Sequence, residues 1–273
     1  MQGSFNGSRW CLGRCSIGLY GVFSMIKTIK TVFFTVVLLV PGLAYASNPS
    51  ADLTVQIVPG GLPGSILPPG NWTLAFNDEF NGTSIDTSKW TYPCPRCVVN
   101  GGDVIDTLAV VSFSNGHMVF TEEPDGTGGE VTSINAFGQG YYEARMVPGD
   151  GWSLFWIIST VNNNCAGDRT HGFEADIYEN ISSSGQHNVH WNGYRDCHQS
   201  EGCFDLGLPQ TGEYVFGLWW TDSNLTFYVD GKQTCQISGP NGALPHVIKL
   251  TVAGLGTGIP VRYDWVRYYQ PAP

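Results

Sequence analysis

Three carboxylates fall close together in an otherwise strand-like apolar run, Gly172-Phe173-Glu174-Ala175-Asp176-Ile177-Tyr178-Glu179-Asn180-Ile181. Carboxylates crowded on one face repel unless some hold protons, and environments that push neighbouring pKa values apart divide acid and base roles between them. On a regular strand Glu174 and Asp176 share a face, while Glu179, an odd number of positions further on, points the other way. A β-bulge at Ile177 and Tyr178 supplies the extra residue that returns Glu179 to the face of the other two. The plain alternative is a solvated strand face with three surface acids.

Positioning such a cluster takes a rigid sheet, and the 273-residue chain is rich in glycine and aromatics, low in charge and without helical periodicity. Short strands are expected at Trp72–Phe76, Val104–Phe113, His117–Glu122, Glu130–Asn135, Gly140–Val147, Trp152–Ser159 and Phe173–Ile181. Further ones are expected at Asn188–Tyr194, Glu213–Trp220, Leu225–Val229, Gln233–Ile237, Val247–Ala253 and Val261–Tyr269. Asn-Gly, Asp-Gly and Gly-Gly turns punctuate them. Asp86-Thr-Ser-Lys-Trp90 reads as one capped helical turn. A dozen or so short strands with almost no helix mean an all-β sandwich or jelly roll.

Residues 1–46 read as an upstream extension plus signal peptide: Lys27 and Lys30 precede the apolar run Val32–Val40, and Ala44-Tyr45-Ala46 is a small-residue cleavage pattern. Met25 stands where such a peptide should begin. Residues 47–70 are a Pro/Gly-rich lead-in with no core of its own, and the folded domain spans 71–273, beginning near Trp72. The expectation is a secreted, extracellular monomer with no membrane association after cleavage. Loss of the leader removes four basic and no acidic residues, so the formal charge moves from −10 to −14. So acidic a surface is poorly suited to nucleic acid, which is not expected as a partner, and mildly disfavours heavily sulfated polymers. Six cysteines remain, Cys94, Cys97, Cys165, Cys197, Cys203 and Cys235, and an even number in a secreted chain implies disulfides. Cys197 and Cys203, bracketing a glycine-containing loop, are the nearest local pair. Cys94-Pro-Arg-Cys97 has the spacing of half a zinc site but no second half.

From Trp72 to Gln270 the chain resembles glycoside hydrolase family 16. Glu174-Ala-Asp176-Ile-Tyr-Glu179 is similar to the bulged E-x-D-x-x-E motif of that family's laminarinases, agarases and carrageenases. Four other pieces agree in order: Phe76-Asn-Asp-Glu79-Phe80-Asn-Gly82; Tyr141-Tyr-Glu143-Ala-Arg145 leading to Trp152-Ser-Leu-Phe-Trp156; Phe227-Tyr-Val-Asp230-Gly231; and Tyr263-Asp264-Trp-Val-Arg-Tyr-Tyr269. The resemblance implies a concanavalin-like β-jelly-roll sandwich with a concave substrate cleft for a polysaccharide. It also implies a retaining endo-glycosidase with Glu174 as nucleophile, Asp176 as the carboxyl between, and Glu179 as general acid/base.

Sugar rings pack their C–H faces on aromatics, so Trp152, Trp156, His190, Trp191 and Tyr194 are candidate substrate contacts, each equally suited to an ordinary place in a sandwich core. Arg145 and Glu143 are candidates for the concave sheet, with a cross-strand pair as the alternative. Trp219 and Trp220 point to opposite faces, so at most one reaches the cleft. The resemblance implies no cofactor for catalysis and offers a structural calcium on the convex side, with Asp264 and Glu79 as its carboxylates. The polymer expected is a β-1,3-glucan or mixed-linkage β-glucan. Ser153-Leu154 replaces the Pro-Ala usual in β-1,3-glucanases, and Ala175 replaces a usual Ile, which keeps an endo-β-galactan hydrolase open. A transglycosylase or a non-catalytic carbohydrate-binding jelly roll would use the same fold. Asn71, Asn81, Asn180 and Asn224 begin N-glycosylation sequons.

Overall fold

Alternation writes the sheets directly. In Gly140–Val147, Tyr142, Ala144 and Met146 enter the core while Tyr141, Glu143 and Arg145 face outward. In His246–Ala253, Ile248, Leu250 and Val252 do the same, with Lys249 and Thr251 opposite. The computed structural model describes residues 61–93, 96–99, 103–159, 168–181, 184–192, 197–254 and 258–273, all within one unit, Leu53–Pro273. The leader 1–46, Cys94, Cys165 and Tyr194 lie outside the described residues.

In chain order the elements are β1 (Trp72–Asp78), β2 (Trp90–Thr91), β3 (Cys97–Val99), β4 (Asp103–Ile105), α1 (Thr107–Val110), β5 (Val111–Ser114), β6 (His117–Phe120), β7 (Gly129–Phe137) and β8 (Gly140–Val147). There follow β9 (Trp152–Ser159), β10 (Phe173–Ile181), β11 (Ser184–Trp191), β12 (Gln199–Cys203), β13 (Tyr214–Trp220), β14 (Asn224–Val229), β15 (Lys232–Ser238), β16 (His246–Ala253) and β17 (Val261–Pro271). One sheet runs β15-β14-β13-β8-β17-β6-β5, with β1 also on β17; the second runs β12-β11-β10-β9-β16-β7-β2. The pairings within both are antiparallel, and the inward faces of the two sheets share one apolar core. The fold is an all-β jelly-roll sandwich.

Two hairpins follow the turn chemistry. Asn115-Gly116 joins β5 to β6 and Asp230-Gly231 joins β14 to β15, all four residues at positive φ, as a two-residue type I′ turn requires. The Asp86 turn also forms: the Trp90 amide donates to the Asp86 carbonyl and the Ser88 amide to its carboxylate.

The structure departs from expectation in several places. Val104–Phe113 is not one strand: the Asp106 carboxylate accepts from the Ala109 amide and caps α1, which separates β4 from β5. Strand β11 begins four residues earlier than its apolar pattern, and β12 was hidden because Gln-Ser-Glu-Gly-Cys has no alternation. Cys203 is bonded to Cys235, not Cys197, which ties the edge strand of one sheet to the edge strand of the other. Cys97 and Cys197 are disulfide-bonded as well, which removes Cys97 as a zinc ligand.

The end of the lead-in is docked from Leu62 onward. The Leu62 amide and Ser65 hydroxyl meet the Tyr269 hydroxyl, the Ile66 amide donates to Glu143, and the Tyr141 hydroxyl donates to the Ile66 carbonyl. Leu67 joins an outer cluster of Trp72, Tyr141 and Tyr269, to which Trp219 and Tyr228 add.

Candidate active site

Strand β10 carries the site and its register shows how. Against β11, Asp176 pairs with Asn188 and Glu179 with Gln186, so Ile177 and Tyr178 together oppose the single residue His187. Against β9, Asp176 pairs with Trp156 and Tyr178 with Phe155, so the same irregularity appears on both sides. Phe173, Ala175, Ile177 and Tyr178 all enter the core, which leaves Glu174, Asp176 and Glu179 together on the opposite face. The expected bulge is present.

Space for the bulge comes from Gly185. A Cβ there would lie 2.6 Å from the Tyr178 ring, whose other neighbour is Phe216 at a centroid distance of 4.2 Å. A side chain on β11 at this point would push Tyr178, and with it the bulge, out of place.

The three carboxylates have different surroundings. Asp176 is fully buried, and burial first and the Glu179 charge second push its pKa well above the usual aspartate range, toward the protonated form. One oxygen each from Glu174 and Asp176 and a ring nitrogen of His190 lie within 4.8 Å of one another. Glu179 is held by two neutral donors, the Trp152 indole N–H at 2.9 Å on Oε1 and Gln186 Nε2 at 2.6 Å on Oε2.

His190 lies 3.4 Å from Asp176 through Nε2. The Val189 amide donates to Asn188 Oδ1, which turns Asn188 Nδ2 toward His190 Nε2 at 2.8 Å. Nε2 is therefore an acceptor, and Nδ1–H donates to His198 Nε2 at 2.9 Å.

The other sequence candidates separate cleanly. Trp156 shares the carboxylate face, but its N–H is given to Thr251 and its ring lies 4.6 Å from the Lys249 ammonium, itself paired with the buried Glu130. Trp191 is a correction: one residue beyond His190, it points to the other face, packs on the core and lies beneath the Arg169 guanidinium. Arg145 is another. It lies on β8 in the opposite sheet, facing outward, where it pairs with Glu213 and Asp264, and Glu143 faces outward with it. Neither Trp219 nor Trp220 reaches the carboxylates, because β13 belongs to that same sheet.

Asp264 and Glu79, the expected calcium carboxylates, have different side-chain partners. Glu79 holds the Arg267 guanidinium through both oxygens, at 3.0 and 2.7 Å, whereas Asp264 gathers with His117, Glu213 and Arg145. Each carboxylate faces a guanidinium, and the two lie in separate clusters.

Gln186 and Asn188 were missed by composition, yet both are legible as the positions two and four before His190 on one strand face. Asn180 is 1% exposed and donates its amide to the Gly151 carbonyl, so the folded strand has no open space for a glycan on it.

Comparison with known proteins agrees with this arrangement. The model of glycosyl hydrolases family 16 matches residues 100–251, more than half of the chain. Beta-porphyranase B of Zobellia galactanivorans is 24% identical over 252 residues, covering 79% of this chain and 83% of that enzyme. Glucan endo-1,3-beta-glucosidase A1 of Niallia circulans is 25% identical over 195 residues, covering 58% of this chain and 28% of that protein. Among solved structures, porphyranase B from Z. galactanivorans superposes with a TM-score of 0.61 at 24% identity, covering 78% of this chain and 98% of that one. The laminarinase catalytic domain from Thermotoga petrophila RKU-1 gives 0.59 at 20% identity, covering 75% and 100%. These likenesses show a shared fold, and the sequence match across the bulged carboxylate strand carries the assignment further: the chain belongs to glycosyl hydrolase family 16 and is an O-glycosyl hydrolase.

Proposed function

We propose that the protein is a secreted, retaining, endo-acting hydrolase of a β-linked polysaccharide, with Glu174 as nucleophile and Glu179 as general acid/base. The observation that carries this reading is the bulge, which returns Glu179 to the face of Glu174 and Asp176.

A retaining glycosidase needs two carboxyl groups about 5–5.5 Å apart. In the first step a Glu174 oxygen bonds to the anomeric carbon as the glycosidic C–O bond breaks, and Glu179 gives its proton to the leaving oxygen. In the second, the Glu179 carboxylate takes a proton from water, the water oxygen bonds to the anomeric carbon, and Glu174 is released. Asp176, which burial biases toward the protonated form, can in that form share its proton with Glu174 and limit the charge that builds up beside it. Trp152 and Gln186 aim Glu179 at the leaving oxygen.

The polymer is a β-glucan or a β-galactan. The Niallia glucosidase supports β-1,3-glucan. The galactan reading is supported by porphyranase B, which aligns over most of both chains, and by Leu154, which lies opposite Glu179 where β-1,3-glucanases usually have Ala. Secretion is supported by the leader pattern and the Cys203–Cys235 disulfide.

The test is incubation of the purified protein with β-1,3-glucan, mixed-linkage glucan and agar-type galactans, with reducing ends measured. New reducing ends on one polymer are expected, with the first anomer released, read by NMR, keeping the β configuration. Glu174→Gln and Glu179→Gln should each lower the rate by roughly 10³-fold or more with an unchanged circular dichroism spectrum. Binding without new reducing ends, or near-normal activity in either variant, overturns the reading.

A further inference from the structure

The bulge leaves a debt in the ladder, because the extra residue of a bulged strand has no regular partner for its backbone. At this bulge the carbonyl of Ile177, a residue that is 0% exposed, lies in a buried position and takes a side-chain partner. It is met by the residue directly opposite the bulge: His187 Nδ1 lies 2.6 Å from the Ile177 oxygen. A carbonyl only accepts, so Nδ1 carries the proton. The other nitrogen, Nε2, takes the Thr234 hydroxyl at 2.8 Å, a shorter contact than the 3.3 Å from that hydroxyl to the Phe227 carbonyl. The imidazole also stacks on Phe227 at 4.8 Å, and its strand neighbour across the ladder, Cys203, is bonded to Cys235, next to Thr234. The ring thus connects the bulge in one sheet to an edge strand of the other.

We propose that His187 is the positioning residue of the catalytic strand: it closes the carbonyl exposed by the bulge and so keeps Glu179 on the face of Glu174. It touches neither carboxylate. Burial lowers the imidazole pKa to about 4, so the neutral, single-tautomer form persists across the working range. Without the bond, a regular strand that satisfies the carbonyl in the ladder competes with the bulge, and in a regular strand Glu179 faces the core. The inference rests on the roles proposed above for Glu174 and Glu179.

Two amides divide the imidazole between them. His187→Asn keeps a donor near the Nδ1 position and hence the bond to Ile177; His187→Gln reaches only to the Nε2 position and Thr234. We expect His187→Asn to retain kcat within about threefold, and His187→Gln to lose at least thirtyfold in kcat with KM changed less than threefold. Thr234→Val, at an exposed position of β15, removes the Nε2 contact and not the bond to Ile177, so it should keep kcat within about threefold, as His187→Asn does. Hydrogen exchange over 174–181 in each folded variant reads the strand register without reference to activity, and faster exchange in the Gln variant than in the Asn variant is expected.

Equal kcat in the two amide variants, a Gln variant better than Asn, a loss in Thr234→Val as large as in His187→Gln, or unchanged exchange in His187→Gln would each overturn the proposal. If the wild type hydrolyses none of the polymers, the proposed function fails while the exchange result still decides the role of His187.

Discussion

Among the described residues, two buried carboxyls are pushed toward the protonated form, and one of them lies at the proposed catalytic site. Asp176 sits between the proposed nucleophile and acid/base. Glu143 sits on the far side of the other sheet under the docked lead-in, 0% exposed, with the Ile66 amide on Oε2 and Arg267 nearby. Burial raises its pKa from 4.5 to about 7. The folded state therefore holds a proton that the unfolded chain releases at lower pH. The stabilisation from this group is complete below the unfolded value and is lost as pH rises through the folded one. About 3 kcal/mol is at stake from a shift of that size. Glu143→Gln should accordingly leave stability nearly unchanged at pH 4 and raise it relative to wild type at pH 8, measured by denaturant titration at both. A difference between the two proteins that does not grow with pH would refute the assignment. A perturbed carboxyl is thus a pointer to function only when other groups converge on it.

At the scale of elements, the strand boundaries of β8, β9 and β10 were legible because their apolar residues alternate or run unbroken between turn signals. The bulge was legible too, from the parity of three acids. What supports it was not. Gly185 is one of many glycines, and nothing in Ser184-Gly185-Gln186 says that Tyr178 will lie over it. Gly185→Ala places a methyl 2.6 Å from a ring that Phe216 blocks behind. The expected cost is about 1–3 kcal/mol of stability, by overpacking, with a fall in kcat as Tyr178 shifts the strand. Thermal unfolding and kinetics on one preparation check both, and an unstrained variant of wild-type activity would show that the bulge has room to spare. Helix α1 and strand β12 escaped notice for the opposite reason: one turn of helix and a polar edge strand bury too little to leave a periodic trace.

For the whole molecule, the consequential feature is that both sheets end in strands joined by the Cys203–Cys235 bond, β12 in one and β15 in the other. The bond closes a loop of 32 residues of sequence. By chain-entropy arithmetic such a loop contributes roughly 3–4 kcal/mol. The double replacement Cys203→Ser with Cys235→Ser should lose about that much in chemical denaturation, while hydrolysis well below the transition persists because the bond lies on the core side, away from the carboxylates. A double variant as stable as wild type would show that the sandwich edge needs no tether. Oppositely charged partners are spread in the same non-local way: Glu79 meets Arg267 and Lys249 meets Glu130, each pair joined only by folding.

The sequence by itself determined which three acids share a face, that a bulge must align them, that a β-sandwich presents them, and the family to which they belong. Those conclusions depend on short-range spacing and alternation, which a chain carries in its order of residues. Tertiary structure alone decided which face each remaining candidate takes and what stands opposite it. Arg145 went to the far sheet, Trp191 to the core, Cys203 to Cys235 and His187 to the carbonyl of Ile177. Each of these outcomes is a meeting between strands or sheets, set by how two surfaces pack, and no local pattern encodes that.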